Sequence, residues 1–328
     1  MGSPPPTPER GHHHLERALD LAERGRGTTA PNPVVGALVV AGNEVLGEGW
    51  HERAGGPHAE VVALEAAGER ARGATLYVSL EPCAHEGRTP ACVDAVIRAG
   101  ISRVVAAAGD PNPRTNGKGV ERLREAGVDV ELADGDLAAR ARRQNEAWRT
   151  WIALGRPFVT YKAAITLDGR VTVPGSRWVT GEGSRRRVHE LRAASDAVAV
   201  GMGTVRADDP LLTARDVGAE RQPRRLAFGG GPLPEGSELE LVSGPLEEEL
   251  ARLAEEGVQS LLLEGGPTLA SSFLAGGLVD KVLLFIAPRL SGSGPHFLGD
   301  FDGPLQLRIA DVEHVGDDVV LAAYLRDP

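Results

Sequence analysis

The sequence predicts two consecutive α/β domains, and three observations support this prediction. The chain has 328 residues, which exceeds the usual size of a single hydrophobic core. Stretches of strand character alternate with helical stretches along its length, as is typical of sheets covered by helices. Hydrophobic residues make up 41% and charged residues 25%, values ordinary for globular proteins. We therefore expect compact domains rather than a fibrous or largely disordered chain.

The first domain is predicted to span residues 14–147. It follows a leader, 1–13, that we expect to be disordered, because prolines and charges stand where a secretory signal would carry apolar residues. The domain opens with a helix at 14–25 that ends in Gly, and a hairpin around AGNE follows. The remaining predicted elements alternate: helix HAEVVALEAAGERA, strand ATLYVSLEPC, helix ACVDAVIRAG, strand SRVVAAAG, helix GKGVERLREAG and strand VDVEL.

The second domain is predicted to span residues 148–328. A charged helix runs from about 136 into a turn near 157 without a Gly/Ser linker, so the boundary is placed near 147. A second alternating series follows, again of α/β type and with no repeat of the first. Its elements are strand FVTYKAAITLDG, helix GSRRRVHELRAAS, the stretch DAVAVGMGTVRADDP, strand RRLAF, helix PLEEELARLAEEG, strand VQSLLLEGG, helix PTLASSFLAGG and strand KVLLFIAP.

Charge and hydropathy exclude several classes of function. The net charge of −10 and pI of about 5.5 oppose a protein whose main task is to grip nucleic acid, since that affinity comes from Lys and Arg. A small anionic substrate needs only a local basic pocket. No run of about 18 apolar residues predicts a membrane span. We expect a cytoplasmic protein. The tract His12–His14 resembles a metal-binding run, but three histidines are weak evidence.

Four residues of the first domain form the pattern of a catalytic zinc centre. A catalytic zinc takes three protein ligands and leaves a fourth position for water. His58, Cys83 and Cys92 can supply the ligands, and Glu60 lies close enough to carry protons without binding metal. The start of a helix, where Cys92 lies, favours a thiolate. A His-x-Glu followed by Pro-Cys and a second Cys is typical of zinc-dependent base deaminases.

Each of these residues also has an ordinary interpretation. A His-x-Glu pair alone is usually a solvated helix face, and two cysteines can be buried or joined in a disulfide. A structural zinc module that only scaffolds other proteins is a further alternative, although such sites normally have four protein ligands and only three can be named here. The zinc interpretation is favoured because both cysteines of the chain lie in one short segment, LEPCAHEGRTPACVDAV.

The spacing of the cysteines refines the prediction. Nucleic-acid and nucleoside deaminases commonly have two residues between these cysteines, whereas eight separate Cys83 from Cys92. With PNPVVGA, HAE, LEPCAHEGRTPAC and GDPNP, the first domain resembles the deaminase half of the bifunctional deaminase/reductase family of riboflavin biosynthesis. The resemblance implies a cytidine-deaminase-like α/β/α sandwich. It makes His58, Cys83 and Cys92 the Zn²⁺ ligands, Glu60 the proton carrier and Asn32 a pyrimidine contact. His85 would line the pocket, or be a surface residue.

The second domain resembles the reductase half of the same family, and the likeness covers about residues 14 to 325 in all. It rests on YKAAITLDGR, SRWVTG, VHELRAASDAVAVGMGTVRADDPLLTAR and EGGPTLASSFLAGGLVDKVLLFIAP. The resemblance implies a dihydrofolate-reductase-like α/β fold that uses NADPH. The implied NADPH contacts are Ala164, Trp178, Thr204, Asp208, Gly266, Pro267, Thr268, Leu269, Ala270, Ser271 and Ser272. The implied substrate contacts are Ser176, Arg192, Leu212, Arg215 and Glu264.

Elementary chemistry supports some of these roles and leaves others open. Arg192 and Arg215 can pair bidentately with a phosphate, although solvated arginines are the ordinary alternative. The strand, Gly-Gly turn and helix start around Thr268 suit a pyrophosphate, but alone this pattern is weak. Trp178 can equally be a core residue. Lys162 can polarise the sugar or be a structural lysine.

The chain departs from the family at three places. Ala84-His85-Glu86 stands where Ser-His-His is usual, and Thr115-Asn116 stands where a hydrophobic pair is frequent. These two departures concern the rim of the pocket and not the metal site. The third, Gly229-Gly230-Gly231, replaces an Asp followed by Ser or Arg after the strand RRLAF. It puts in question the affinity for NADPH and the preference over NADH.

The resemblance implies a bifunctional enzyme with a small phosphorylated pyrimidine as substrate and no nucleic-acid or membrane partner. Zinc-dependent deamination of 2,5-diamino-6-(5-phosphoribosylamino)pyrimidin-4(3H)-one would precede NADPH-dependent reduction of 5-amino-6-(5-phosphoribosylamino)uracil. Two alternatives stay open at this point: a deaminase with a degenerate reductase domain, and a nucleoside or nucleic-acid deaminase. Family members often associate, so a homo-oligomer is also implied, with the number of subunits left open.

Overall fold

The chain divides into two compact units after Leu154. The computed structural model describes residues 8–85, 90–113, 115–219 and 221–327. One unit ends at Leu154 and the other begins at Gly155, later than the boundary of 147 predicted from the sequence. The reason is that the predicted charged helix is two helices, and the second of them, Glu146–Leu154, belongs to the first unit. Gly155, with φ of 63°, follows its end.

The first unit contains six α-helices, one 3₁₀ turn and five strands among its described residues. These elements are α1 Pro8–Glu23, β1 Gly36–Ala41, β2 Glu44–Trp50, α2 Ala59–Ala67, the turn Gly68–Ala71, β3 Thr75–Val78, α3 Cys92–Ala99, β4 Arg103–Ala106, α4 Lys118–Glu125, β5 Asp129–Leu132, α5 Gly135–Gln144 and α6 Glu146–Leu154. The sheet order is β2-β1-β3-β4-β5. The predicted hairpin is confirmed, since β1 pairs antiparallel with β2. β3, β4 and β5 are parallel.

Helices cover both faces of this sheet, as the alternation of side chains along β1 shows. Ala37 and Val39 point into a core shared with buried residues of α2, α3 and α4. Leu38 and Val40 point into a second core shared with α1 and α5. Successive strand residues face opposite sides of a sheet, so both faces of β1 are buried. The predicted α/β/α sandwich is confirmed.

The N-terminal helix corrects one expectation. Residues 8–13, predicted as part of a disordered leader, belong to α1, whereas residues 1–7 lie outside the described part of the chain. Leu15 and Leu19 of this helix are buried in the core, and the ring of His14 lies 4.9 Å from the ring of Tyr77. The helix therefore extends further than the apolar periodicity alone indicated.

The second unit contains eight strands and four helices among its described residues. They are β6 Phe158–Thr166, α7 Glu182–Ala194, β7 Ala197–Gly201, α8 Met202–Asp208, β8 Arg224–Phe228, β9 Glu240–Val242, α9 Leu246–Glu255, β10 Ser260–Leu263, α10 Pro267–Ala275, β11 Lys281–Ala287, β12 Arg308–Val315 and β13 Asp318–Tyr324. The sheet order is β12-β13-β11-β6-β10-β7-β8-β9. The six strands from β11 to β9 are parallel, and β13 and β12 add antiparallel pairs.

The second sheet also has helices on both faces. Tyr161 of β6 packs with buried residues of α9 and α10, while Leu262 of β10 packs with Met202 and Val205 of α8. Phe285 of β11 packs with Val188 of α7. The α/β class predicted for this unit is confirmed; the sequence prediction did not assign β9, β12 and β13. In the described part of the chain, no helix combines the length and apolar character needed to cross a membrane.

A buried ion pair in the second unit gives a stability prediction. Arg156 donates two hydrogen bonds of 2.7 Å to Asp280, which also accepts the backbone N–H of Val159 at 2.8 Å and lies 3.5 Å from Arg326 Nε. Asp280 is 1% exposed. Asp280→Asn leaves the Arg156 charge without its partner, so we expect unfolding of this unit to become easier by about 3–5 kcal/mol. Urea denaturation of the full chain, followed by hydrogen exchange of β6, measures this change.

Glu44→Gln is the matched control for this prediction. Glu44 pairs with Arg70 on the surface of the first unit, where the two side chains are 65% and 60% exposed. Exposed pairs contribute about 0–1 kcal/mol, so this variant should unfold like the wild-type protein. An Asp280→Asn variant as stable as the control would show that the Arg156 pair does not stabilise the unit.

Candidate functional site

The three predicted zinc ligands lie together in the first unit. His58 immediately precedes α2, Cys83 follows the loop after β3, and Cys92 is the first residue of α3. His58 Nδ1 lies 3.0 Å from Cys92 Sγ and 3.7 Å from Cys83 Sγ, and the three ligand atoms all lie within 4.8 Å of one another. In a tetrahedral site, Zn–S bonds of about 2.3 Å and Zn–N bonds of about 2.0 Å place the ligand atoms about 3.5 Å apart. The donor set therefore fits a zinc ion.

The two cysteines interact with each other, and Cys83 takes the form that a metal requires. Both are free thiols, which removes the disulfide alternative. A hydrogen bond from the Cys92 thiol, together with the imidazole of His58, lowers the pKa of Cys83 in spite of its burial. The backbone N–H of Cys92 also donates to Cys83 Sγ at 3.3 Å. These donors stabilise a thiolate at Cys83, the form of cysteine that binds metals. The hydrogen bond to Cys83 and burial raise the pKa of Cys92, contrary to the thiolate expected there from its position at a helix start.

Glu60 is buried beside this cluster. It lies in the first turn of α2, two residues after His58, and is 3% exposed. Burial raises the pKa of Glu60 to about 7, although the His58 charge opposes the shift. A carboxyl group with a pKa near neutrality both accepts and returns protons efficiently, as a general acid and base must. The solvated-face interpretation of His58 and Glu60 does not hold in the folded chain.

A cavity of about 370 Å³ opens next to the metal cluster. Its polar lining includes two residues predicted from the sequence, Asn32 and His85, and three that were not singled out, His51, Asp110 and Asn112. Asp110 and Asn112 belong to the GDPNP motif, so the signal was present in the sequence; His51 has no such signal. The metal ligands His58 and Cys83, and Glu60, line the same cavity.

Hydrogen bonds fix the orientation of Asn32 at the cavity. His51 Nδ1 lies 3.0 Å from the carbonyl oxygen of Pro57, so this nitrogen carries the proton and donates. His51 Nε2 is then an acceptor, 3.0 Å from Asn32 Nδ2. Burial lowers the pKa of His51, which favours the neutral ring that this arrangement requires. The amide of Asn32 is thus held as a donor toward His51.

A second network holds His85 at the cavity. Its Nδ1 lies 3.2 Å from the hydroxyl of Thr115, which is fully buried and also hydrogen-bonds the carboxyl group of Asp110. Burial raises the pKa of Asp110 to about 6. Thr115, one of the departures from the family pattern, therefore links two pocket residues instead of packing as an apolar group. Glu86, the other departure beside His85, lies outside the described residues.

Glu81 holds the loop that carries these pocket residues. Its carboxylate, 4% exposed, accepts four backbone N–H groups, from Asp110 at 3.2 Å, Gly117 at 3.2 Å, Gly119 at 3.1 Å and Val120 at 3.3 Å. Hydrogen bonds to an ionised acceptor are stronger than neutral ones. Because Glu81 precedes Pro82-Cys83, one residue fixes the pocket loop relative to the metal ligand. The sequence prediction did not single it out.

Helix α6 forms the aromatic side of the cavity. Trp148, Trp151 and Ile152 of this helix line it, and all three lie beyond the predicted boundary of 147. Asn145, at the break between α5 and α6, exchanges two hydrogen bonds of 2.9 Å with the backbone of Val34. The segment predicted as a junction between domains therefore belongs to the pocket of the first unit.

In the second unit, Glu264 forms ion pairs with two basic residues considered in the sequence analysis, Arg192 and Lys162. Arg192 donates to its carboxylate from Nε at 2.6 Å and from Nη2 at 3.0 Å, and Lys162 Nζ lies 3.3 Å from Oε2. Burial opposes ionisation of Glu264, but Lys162 and Arg192 together lower its pKa to about 2. In this structure Arg192 pairs bidentately with Glu264, and Lys162 belongs to the same ion cluster; the phosphate contact of Arg192 stays a prediction.

The other predicted substrate contacts of this unit differ in accessibility. Arg215 is exposed, and its backbone nitrogen lies 3.3 Å from His189 Nδ1, a ring nitrogen that is 3.1 Å from the carbonyl oxygen of Thr213. Leu212 is 3% exposed with its side chain in the core, and its φ of 52° is rare for a residue other than glycine. A ligand would therefore meet the backbone of Leu212. Ser176 Oγ donates to the carbonyl oxygen of Trp178 at 2.8 Å.

The predicted cofactor residues lie on β6, in the loop before α7, on α8 and at the start of α10. Gly266 precedes α10, and a Cβ atom at this position would lie 3.4 Å from the hydroxyl of Thr204 on α8. Trp178 is 49% exposed between the guanidinium groups of Arg177 and Arg185, which excludes the core role considered for it. Ala164 lies on β6 and Asp208 ends α8. The structure thus brings Thr204 against the turn before α10.

Comparisons with known proteins agree with this geometry. The family model of the cytidine and deoxycytidylate deaminase zinc-binding region matches residues 8–108, and the RibD C-terminal domain matches 157–230 and 237–321. The chain is 43% identical to the riboflavin biosynthesis protein RibD of Aquifex aeolicus, covering 94% of this chain and 97% of that protein. It is 38% identical to RibD of Escherichia coli strain K12, covering 94% and 98%.

Solved structures are similar over almost the whole chain. Acinetobacter baumannii RibD, form 1, has a TM-score of 0.84 at 36% identity, covering 96% of this chain and 99% of that chain. The diaminohydroxyphosphoribosylaminopyrimidine deaminase/5-amino-6-(5-phosphoribosylamino)uracil reductase of Thermotoga maritima has a TM-score of 0.81 at 34% identity, covering 96% and 99%. The predicted order of folds, deaminase-like and then reductase-like, is confirmed.

Glu81→Gln tests the loop attachment. A glutamine amide offers an N–H₂ group where the carboxylate accepts hydrogen bonds, so one side of the attachment becomes two opposed donors. We expect amide hydrogen exchange across residues 110–120 to accelerate by on the order of tenfold or more, since hydrogen bonds to a charged group contribute about 1.5–3 kcal/mol each. Glu121→Gln, at an exposed position of α4, is the control. Unchanged exchange in Glu81→Gln would contradict the attachment.

Glu264 gives a prediction for acid stability. Its pKa of about 2 lies below the ordinary 4.5, so ionised Glu264 stabilises the fold above about pH 4.5 and this stabilisation is lost as pH falls toward 2. Glu264→Gln lacks this contribution, on the order of 3 kcal/mol at neutral pH. The difference in unfolding free energy between wild type and variant should therefore shrink below pH 4.5. Urea titrations from pH 7 to pH 3 measure this difference, with Glu247→Gln, at an exposed position, as the control. A difference that does not change with pH would contradict the lowered pKa of Glu264.

Proposed function

The chain belongs to the RibD family, and from this premise we propose which of its residues carry out the two reactions. It is a bifunctional deaminase and reductase of riboflavin biosynthesis with a zinc-binding deaminase unit. We propose as its substrates the two compounds named for the Thermotoga maritima relative, a diaminohydroxyphosphoribosylaminopyrimidine and 5-amino-6-(5-phosphoribosylamino)uracil. The observation that carries the deaminase assignment is the His58, Cys83 and Cys92 cluster beside a buried Glu60.

The first unit would perform a hydrolytic deamination. His58, Cys83 and Cys92 would hold the zinc, which when bound would supply a water of lowered pKa. Glu60 would accept a proton as water adds to the carbon that bears the amino group, and would return it to the nitrogen, whose bond to that carbon breaks as ammonia leaves. A pKa of about 7, raised by burial, suits both directions of this transfer. The water, the carbon that it attacks and the carboxyl group that transfers the proton would all lie in one pocket.

The pocket residues would select a phosphorylated pyrimidine. Asn32, oriented by His51, faces the space beside the metal cluster and would bind the polar edge of the base. The indole rings of Trp148 and Trp151 offer apolar walls against which a planar ring can stack. His85, on the lining of the same cavity, would contact the substrate. The eight-residue separation of the cysteines and the family membership both disfavour a nucleic-acid deaminase.

The second unit would perform the reduction with NADPH, the cofactor of RibD reductases. The turn before α10, with Gly266 against Thr204, would hold the pyrophosphate, because the first backbone N–H groups of a helix favour anions. When bound, NADPH would supply a hydride for C1′ of the ribosyl group in its open imine form, and water would supply the proton that completes the amine nitrogen. Glu264, fixed by Lys162 and Arg192, would position the sugar hydroxyl groups. The expected homo-oligomer and cytoplasmic location stay predictions.

Glu60→Gln tests the deaminase mechanism. Glutamine fills the same space but cannot transfer the proton, so ammonia release from the pyrimidine phosphate should fall by on the order of 10²–10⁴-fold. Zinc content should stay at one ion per chain. When the deaminated intermediate is supplied directly, NADPH oxidation by Glu60→Gln should equal that of the wild-type protein. The assay is run with and without NADPH, and zinc is measured by mass spectrometry.

Glu65→Gln is the matched control, because Glu65 is an exposed glutamate of the same helix. It should retain both activities. Wild-type ammonia release by a zinc-loaded Glu60→Gln protein would contradict the proton-transfer role. An absence of NADPH oxidation in every variant would instead show that the second unit is a degenerate reductase.

A further inference from the structure

The loop after β8 lacks the side chains expected at a cofactor site. β8 ends at Phe228 and continues as Gly229-Gly230-Gly231. Gly229 has φ of 127° and Gly231 has φ of 99°, conformations that side chains of L-residues rarely adopt. This stretch therefore cannot itself offer a charged group to a nucleotide. Any recognition at this end of the strand has to come from a neighbouring element.

Arg206 of α8 lies over this glycine run. Its Nη2 donates a hydrogen bond of 2.7 Å to the carbonyl oxygen of Gly230. A Cβ atom on Gly231 would lie 2.8 Å from the same Nη2, so the absence of a side chain there makes room for the guanidinium group. Arg206 is exposed, and in the described ranges it forms no ion pair with a carboxylate. Its charge remains available to an anion.

The position of Arg206 along the sheet edge matches one end of a dinucleotide. β10, β7 and β8 are adjacent and parallel, so the turns after them share the carboxyl edge of the sheet, where open α/β sheets bind their ligands. The turn after β10 leads to α10, and β8 lies two strand spacings away, roughly 10 Å. Thr204 of α8 lies against Gly266 in the turn after β10, while Arg206 of the same helix contacts Gly230 in the loop after β8.

We propose that Arg206 recognises the 2′-phosphate of NADPH, taking the place of the side chains that the Gly229–Gly231 run lacks. The inference rests on the proposed reductase function, with the pyrophosphate at the start of α10 and the adenosine end toward β8. A guanidinium group forms paired, charge-assisted hydrogen bonds with a phosphate and has no such partner in NADH, which carries a hydroxyl group there. Arg206 thereby sets the preference for NADPH in this chain.

Binding measurements with the full chain test the proposal. Isothermal titration calorimetry compares NADP⁺, NAD⁺ and 2′,5′-ADP on the wild-type protein, Arg206→Gln and Arg206→Lys. For Arg206→Gln we expect affinity for NADP⁺ and 2′,5′-ADP to fall by on the order of tenfold or more, with affinity for NAD⁺ unchanged. Arg206→Lys keeps the charge and should retain most of the preference. The expected loss should also diminish at high salt.

Arg186→Gln is the control, because Arg186 is an exposed arginine of α7 that pairs only weakly with Glu190, at 3.5 Å. It should bind all three ligands like the wild-type protein. Equal weakening of NADP⁺ and NAD⁺ by Arg206→Gln would mean that Arg206 merely supports the loop, and no weakening would place 2′-phosphate recognition elsewhere. Either result overturns the inference while the reductase function stands. A wild-type protein that binds no NADP⁺ would overturn the reductase function as well.

Discussion

The close packing of α2 on β2 determines the geometry of the deaminase site. A Cβ atom at Gly47 would lie 2.3 Å from the carbonyl oxygen of Ala63, and one at Gly49 would lie 2.5 Å from that of Ala59. These glycines are two residues apart and share one face of the strand, so the helix backbone lies directly on it. This contact places both His58 and Glu60 on the lining of the cavity, with the Glu60 side chain buried. The ligand position and the raised pKa of Glu60 have the same structural cause.

Three buried glutamates show how surroundings decide the role of one residue type. Glu60 lies beside His58 and the two cysteines, and burial raises its pKa to about 7, so it can exchange protons. Glu81 is surrounded by backbone N–H groups and acts as an attachment point for a loop. Glu264 is paired with two cations, and its pKa falls to about 2, so it stays ionised. The three roles can be distinguished only in the folded chain, because the partners of these glutamates come from other parts of the sequence.

The sequence predicted what is local and missed what depends on tertiary contacts. The zinc ligands and Glu60 were found because their chemistry and spacing lie within two short segments. His51 follows a strand without any motif, and its role depends on the carbonyl group of Pro57 across a turn. Glu81 depends on amides some thirty to forty residues later. The contact of Arg206 with the glycine run was also missed, because Arg206 follows β7 whereas the run begins after β8.

The first unit continues through α6, seven residues past the boundary predicted near 147, and this changes how the unit is understood. α6 looks like a charged junction in the sequence, yet its indole groups line the cavity. The side-chain amide of Asn145, at the break between α5 and α6, binds both the N–H and the C=O of Val34. These two hydrogen bonds connect the start of α6 to the loop that carries Asn32. Arg149 donates to the carbonyl oxygen of Gly109 at 2.8 Å and ties it to the loop of Asp110. The last helix of the unit thus joins both polar rims of the pocket, so the pocket is complete only when the chain is continued through α6.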